Sequence, residues 1–266
     1  MDTEESLPGS DKPVTLAGKA ASEMAKAYFA EGGGLASVEL EFDTDDPVEV
    51  CLVEHRDNFG RLLCYVHKGE ENYNLKLVRE GWSPYFVKYG RSRLYDGPFM
   101  AAEAEAQAHN RVVWDPDFNG AGALREYDTL LPWWWFRAAI VEDYRRVAGS
   151  AEVLSVRLDY QRLRDEMTSG ATVSVLCDLQ AGVNRWTEGG AVVFAGSVHH
   201  KFNLWIPDAR DEEKAPLIRL IERRYAGQGR GYVYVSGKVS EFMGNPQIVL
   251  TDTEQLADSP PEPRDG

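Results

Sequence analysis

The residues best suited to chemistry lie in a few short stretches. Asp57-Asn58-Phe59-Gly60-Arg61 ends a turn-rich segment on an arginine, whose planar fork can make paired hydrogen bonds to a phosphate. The plainer reading is an arginine that closes a turn and pairs with Asp57. Asp2 and Glu5 are carboxylates within the first five residues, where a solvated acidic terminus is the ordinary alternative. Tyr85 and Tyr89 belong to an aromatic-rich loop from Trp82 to Tyr89, and such loops commonly serve packing alone. His199 and His200 are adjacent, so on a strand they point to opposite faces, and with no third ligand evident they read as ordinary strand-end residues.

These groups must be positioned by the elements around them. Ala17, Ala20, Ala21, Met24 and Tyr28 share one helical face between Thr15 and Ala30, and Gly32-Gly33-Gly34 stops that helix. Val38, Leu40 and Phe42 alternate with Glu39 and Glu41 as in a half-buried strand, and Val48, Val50 and Leu52 suggest another extended stretch. Leu62 to His67 is apolar on both faces and predicts an interior strand. Helices are expected from Asn74 to Glu80, closed by Gly81, and from Phe99 to Asn110, with Val112, Val113 and Trp114 packing after the second. Gly120 and Gly122 open a connecting region that holds Trp133-Trp134-Trp135, read as packing between domains, before a helix to Val147.

Beyond Gly149, a helix near Asp159 to Met167 precedes strands at Val173 to Leu176, Val192 to Val198 and Phe202 to Ile206. A helix from Glu212 to Tyr225 and strands at Tyr232 to Val239 and Gln247 to Leu250 complete the pattern. The proline-rich tail from Asp258 to Pro263 reads as disordered.

Composition narrows the class. At 266 residues, with 43% hydrophobic and 11% aromatic content, the chain can build two compact domains. No apolar run is long enough to span a bilayer, so no membrane partner is expected. Met1 is followed by acidic residues rather than by an export signal. Cys51, Cys64 and Cys177 lack the spacing of a disulfide framework or a zinc site and read as reduced, buried residues. The formal charge of −14 divides into 16 basic against 26 acidic residues before position 150 and 13 against 17 after it. Neither half is a broadly basic nucleic-acid surface. A few arginines and a cation concentrated in a cleft remain compatible with that charge.

The stretch Asp57-Asn58-Phe59-Gly60-Arg61-Leu62-Leu63-Cys64-Tyr65 resembles the Asp-x-Tyr-Gly-Arg-x-Leu-Ala-Tyr segment of staphylococcal-type nucleases. It is followed at similar spacing by Asn74-Leu75-Lys76-Leu77-Val78-Arg79-Glu80-Gly81-Trp82, by Glu103-Ala104-Glu105-Ala106-Gln107-Ala108 and by Trp114. The resemblance covers roughly residues 1 to 118 and implies calcium-dependent cleavage of phosphodiester bonds in DNA or RNA, on a five-stranded OB barrel flanked by helices. In that chemistry a hard cation neutralises the phosphate, a carboxylate activates water, and arginines stabilise the charge that builds on the phosphoryl oxygens. On this match Arg61 contacts the scissile phosphate. Met1-Asp2-Thr3-Glu4-Glu5 resembles the family's Val-Asp-Thr-Pro-Glu motif, with Asp2 as a calcium ligand, Thr3 offering a carbonyl and Glu5 as general base. Tyr85 and Tyr89 would border the nucleotide pocket, Tyr89 in direct register and Tyr85 after a shift of the loop.

The family's Asp-Gly-Asp-Thr turn and the strand that carries a second catalytic arginine lie upstream of the motif at which this sequence begins. The expectation is an N-terminally truncated domain whose coding sequence starts further upstream. The alternative is a remnant whose sheet is completed by a partner chain. The compartment stays open, with secretion following if an export signal precedes Met1.

Val233-Tyr234-Val235-Ser236-Gly237-Lys238-Val239 and Gly244-Asn245-Pro246-Gln247-Ile248-Val249-Leu250 are similar to the last strands of OB-type modules. Such sheets bind single strands by stacking bases on aromatics and following phosphates with cations, and Arg185, Lys201, Phe202 and Trp205 are candidates, although Phe202 and Trp205 also suit a core. The expected fold is mainly β with helices (α+β), a partial nuclease-type OB barrel followed by a second OB-like β-barrel. The expected domains are 1–118, a connecting region 119–150, the second module 151–256 and a tail 257–266. The expected function is calcium-dependent hydrolysis of phosphodiester bonds in DNA or RNA, with a single strand as the expected partner. The alternative is a noncatalytic scaffold of two barrels that binds nucleic acid or protein.

Overall fold

The computed structural model describes residues 1–9, 12–57, 59–118, 124–149, 152–170, 172–227 and 229–261. Asn58, Gly120, Gly122 and the end of the tail, 262–266, lie outside the described residues. The fold is α+β and forms two compact units, one of Met1–Asp45 with Cys64–Ala138 and one of Asp46–Leu63 with Ala139–Gly266. Among the described residues no helix is long and apolar enough to cross a membrane.

The first unit begins with a segment pinned to helix α1 (Leu16–Phe29). Thr15 caps that helix by accepting the Gly18 N–H at 2.9 Å, while its own N–H donates to the Glu5 carbonyl at 3.1 Å. Gly18 is required there because a Cβ would overlap the Glu5 carbonyl. Strands β1 (Ala30–Glu31) and β2 (Gly34–Leu35) make a small hairpin around the glycines that end α1. Strand β3 (Glu39–Glu41) follows, and the chain then leaves this unit for helix α2 (Val48–Glu54). It returns in strand β4 (Tyr65–Lys68), which pairs antiparallel with β3 and with β5 (Glu71–Asn72). Three short strands thus form an open sheet, backed by α3 (Tyr73–Arg79) and α4 (Asp96–Ala108). Asn72 caps α3 by accepting the Leu75 N–H at 3.0 Å. Val78, Tyr85, Val87, Phe99 and Ala102 form the core.

Two local expectations change. Residues 48–54 are helical rather than extended, with the Cys51 N–H reaching back to the Pro47 carbonyl at 3.0 Å. Val48, Val50 and Leu52 are exposed, so their alternation reports no buried face, and Cys51 is the residue that packs. The expected strand from Leu62 shortens to Tyr65–Lys68 because Leu63 donates instead to the His55 carbonyl at 2.8 Å, closing a loop of the second unit.

Helix α5 (Tyr127–Val147) takes in the tryptophan run, which was expected to precede the helix, with Pro132 inside it. Helical spacing sets Leu130, Trp134 and Ala138 on one face. Trp134 is buried in the core of the first unit, edge-on to Phe86 at 4.7 Å. Ile140, Val141 and Tyr144, further along the same helix, join Val153, Leu176 and Tyr234 in the second unit.

That second unit continues with β6 (Val153–Ser155), α6 (Tyr160–Ser169), β7 (Thr172–Asp178), β8 (Arg185–Trp186), β9 (Gly190–Phe194) and β10 (Asn203–Pro207). Helix α7 (Ala215–Leu220) widens into a π turn at Ile221–Tyr225, and β11 (Tyr232–Phe242), β12 (Asn245–Val249) and β13 (Leu256–Ala257) follow. The strands run in the order β6-β7-β11-β12-β10-β9-β8, with β13 on β11. The pairs β6/β7 and β10/β12 are parallel and the rest antiparallel. Among the described residues the path is open rather than a closed barrel. Val193, Leu204, Val239 and Ile248 sit in register on the inner face and are fully buried. The tail is ordered for longer than expected, since Ala257 pairs with Tyr234 and the Asp258 carboxylate accepts from Arg224 and from the Tyr225 hydroxyl at 2.9 Å.

Leu204→Ala is expected to cost about 2–5 kcal/mol, as buried leucine truncations do, measured as a lowered urea midpoint of the second unit. Leu35→Ala, 86% exposed, should change stability by less than about 0.5 kcal/mol. Equal effects would contradict this assignment of the core.

Candidate functional site

The arginine turn is organised by one carboxylate. Asp57 Oδ1 accepts the backbone N–H groups of Phe59 and Arg61, each at 2.9 Å, and Asp57 Oδ2 accepts Arg61 Nε at 2.6 Å. Burial raises the Asp57 carboxyl, but these bonds outweigh it and hold the group below the ordinary aspartate range. The Arg61 side chain is 75% exposed and lies 5.2 Å from the Phe59 ring centre. One edge of the guanidinium is thereby fixed, and the other is open to a ligand. Gly60 has φ +81° with the His199 ring against it, so a side chain at that position would be both strained and blocked.

The turn belongs to the second unit, where α2 brings Glu54 to a buried histidine, a contact that sequence reasoning missed. Glu54 Oε2, on α2, lies 3.3 Å from His200 Nε2, and His200 is almost fully buried with its ring 4.9 Å from Tyr160. Burial, followed by the charges of Arg157, His199 and His55, pushes the His200 pKa down from 6.5 to about 4. Burial also pushes the Glu54 carboxyl up, although His55 opposes the shift. His55 Nε2 in turn meets Asp46 Oδ2 at 3.1 Å. The partners are far apart in sequence, and no local pattern announces the pairing.

The acidic N-terminal stretch sits in the first unit, where Glu4 is buried. Arg125 Nε donates to Glu4 Oε1 at 3.0 Å, its Nη1 pairs with the Asp2 carboxylate, and its Nη2 donates to the Asp2 carbonyl at 2.5 Å. The Tyr127 hydroxyl also donates to Glu4. Asp2 N–H donates to Ser83 Oγ at 3.0 Å. Glu5 Oε1 accepts the N–H groups of Ser6 and Leu7, at 2.9 and 3.0 Å. Among the described residues no group of three His, Cys, Asp or Glu side chains could hold a metal ion. The calcium shell implied for Asp2 therefore does not fit these residues, because a guanidinium already neutralises that carboxylate.

Tyr85 is a core residue. Its ring stacks on Phe99 at 4.9 Å, its hydroxyl donates to Asp96 at 3.0 Å and its N–H to Glu103 at 2.8 Å. Tyr89 is half-buried, edge-on to Phe86 at 5.6 Å with Lys88 Nζ 5.3 Å from its ring centre. The structure thus joins Asp2 to the Ser83–Tyr85 stretch, keeps Glu5 and Tyr89 in the same unit, and places Arg61 in the other.

Residues 17–116 match the family model described as staphylococcal nuclease homologue. Over 117 residues the chain is 30% identical to the thermonuclease of Staphylococcus intermedius, covering 43% of this chain and 60% of that protein. Over 115 residues it is 30% identical to the thermonuclease of Staphylococcus hyicus, covering 43% and 59%. Residues 17–116 are a staphylococcal-nuclease-like domain. The chain spans about three fifths of the length of these curated relatives. The nuclease-like match includes Arg61, Tyr85 and Tyr89 and begins after Asp2 and Glu5. Within it, residues 46–63 pack with the second unit rather than with the rest of the nuclease-like domain. Arg125 and Tyr127 lie beyond the match.

Because the folded-state pKa of His200 lies below its unfolded value, the unfolded chain binds more protons between pH 6.5 and about 4. The stability this residue contributes is complete above pH 6.5 and is lost as pH falls toward 4. Subtracting the pH–stability curve of His200→Gln from that of the wild type should give a difference that rises with pH across this window. A flat difference would show that His200 titrates normally.

Proposed function

We propose that this protein grips the phosphate backbone of DNA or RNA through Arg61, and that this chain binds the strand without hydrolysing it. The observation that carries the reading is the arginine turn, which lies in a nuclease-like match and presents a fixed but open guanidinium. Bidentate phosphate contact suits that geometry. The hydrolytic half of the family's chemistry has less support, because the carboxylate matched to the calcium ligand is paired with Arg125.

The second unit supports binding. Strands β7 to β10, helix α7 and strands β11 to β13 follow one another as strands, one helix and strands, a succession compatible with an OB-type module. With Val193, Leu204 and Ile248 facing the core, the opposite face carries Val192, Trp205 and Val249 in one row, and Arg185 is in register with Val192. Trp205 and Arg185 can serve a single strand there as stacking surface and cation. Phe202, 1% exposed, is a core residue and cannot stack.

A second reading, calcium-dependent phosphodiester hydrolysis, is favoured by the identity to thermonucleases. One experiment separates the two. Labelled single-stranded DNA and RNA are incubated with the chain at low salt, with calcium and with chelator, and both retention and fragment length are read. The expected result is retention without cleavage, weakened about tenfold by Arg61→Ala, the usual weight of a hydrogen bond to a charged group. Cleavage that needs calcium and is lost in Arg61→Ala would replace the binding reading with the hydrolytic one, and retention indifferent to Arg61→Ala would remove Arg61 from the site.

A further inference from the structure

We propose that Arg125 is the built-in cation of the acidic N-terminal segment, closing the Asp2 and Glu4 carboxylates to divalent metal. The inference deepens the nonhydrolytic reading above, on which its functional meaning rests. The guanidinium reaches both carboxylates and a backbone carbonyl at once: Nε meets Glu4 Oε1 at 3.0 Å, Nη1 the Asp2 carboxylate, and Nη2 the Asp2 carbonyl at 2.5 Å. The Tyr127 hydroxyl lies 3.1 Å from Nη2 and donates to Glu4. The side chains of Arg125 and Glu4 are 13% and 3% exposed and that of Asp2 31%, so the cluster is anchored inside at Glu4 and reaches the surface at Asp2.

A hard divalent cation requires six or more oxygen ligands around itself, several of them from carboxylates or water. Here both carboxylates and the Asp2 carbonyl face a planar fork whose hydrogen bonds are directional and need no water. For calcium to enter, the guanidinium would have to leave and find new partners. The fork also does the structural task of a bound cation, tying residues 2 and 4 to the start of α5. Arg125 lies outside residues 17–116, so the closing group is supplied by a part of the chain beyond the nuclease-like match.

The test is backbone amide exchange at residues 2–5, followed by mass spectrometry with and without millimolar calcium, on the wild type, Arg125→Lys and Arg125→Ala. In the wild type calcium should leave exchange and thermal midpoint unchanged. Arg125→Ala should speed exchange at these residues about tenfold or more, the weight of charge-assisted bonds, and millimolar guanidinium or calcium should slow it again. Arg125→Lys, which keeps the charge and the stem, should fall between and serves if the alanine variant does not fold. Calcium protecting the wild-type segment would overturn the proposal. So would exchange that is unchanged in both variants, or acceleration that no cation reverses, which would assign Arg125 to packing alone. Single-strand retention measured on the same proteins keeps the two readings apart: loss of binding with calcium indifference intact would count against the Arg61 contact and not against the built-in cation.

Discussion

A carboxylate is buried at low cost as the charged form only where a cation and hydrogen-bond donors reach it, and Glu4 imposes that constraint on the first unit. Arg125 and Tyr127 answer it together, which fixes where α5 starts and seats Trp134 against Phe86. The same cluster holds Asp2 beside Ser83, while the Glu5 carbonyl accepts the Thr15 N–H at the start of α1. An acidic stretch that reads as a loose terminus thereby becomes a fixed strap, buried at Glu4, whose Asp2 and Glu4 carboxylates share one guanidinium.

The arginine turn obeys a different constraint. Its internal shape comes from Asp57, whose carboxylate collects two backbone N–H groups and the Arg61 side chain. It is tied to α2, whose Cys51 is buried, by the Leu63 N–H on the His55 carbonyl and by Arg56, which donates to the Leu52 and Gly60 carbonyls. Arg61 is therefore presented by the second unit, although its sequence neighbours on either side return to the first. An exposed ion pair such as Arg61–Asp57 adds only about 0–1 kcal/mol to stability. Its value lies in holding the guanidinium in one orientation rather than in stabilising the fold.

Helices α1 and α3 were legible because helical periodicity, capping residues and terminating glycines agree locally, and α4 from its run of alanine and glutamate alone. The inner strands β7, β10, β11 and β12 were legible from runs of buried aliphatic residues. Helix α2 was not, since its alternating valines face outward and a single cysteine is buried. The tryptophan run was misplaced because Pro132 reads as a helix boundary yet sits inside α5. At the candidate site the arginine and its aspartate were visible as a motif. Arg125 and His200 were not, because each acts through a contact with a residue more than a hundred positions away, and pairings of that range leave no trace in periodicity or spacing.

The central claim is that Arg61 contacts a nucleic-acid phosphate. The most direct measurement is the salt dependence of single-strand affinity for the wild type and Arg61→Ala. Removing one phosphate contact should lower the slope of log affinity against log salt by about 0.7. Identical slopes for the two proteins would contradict the account.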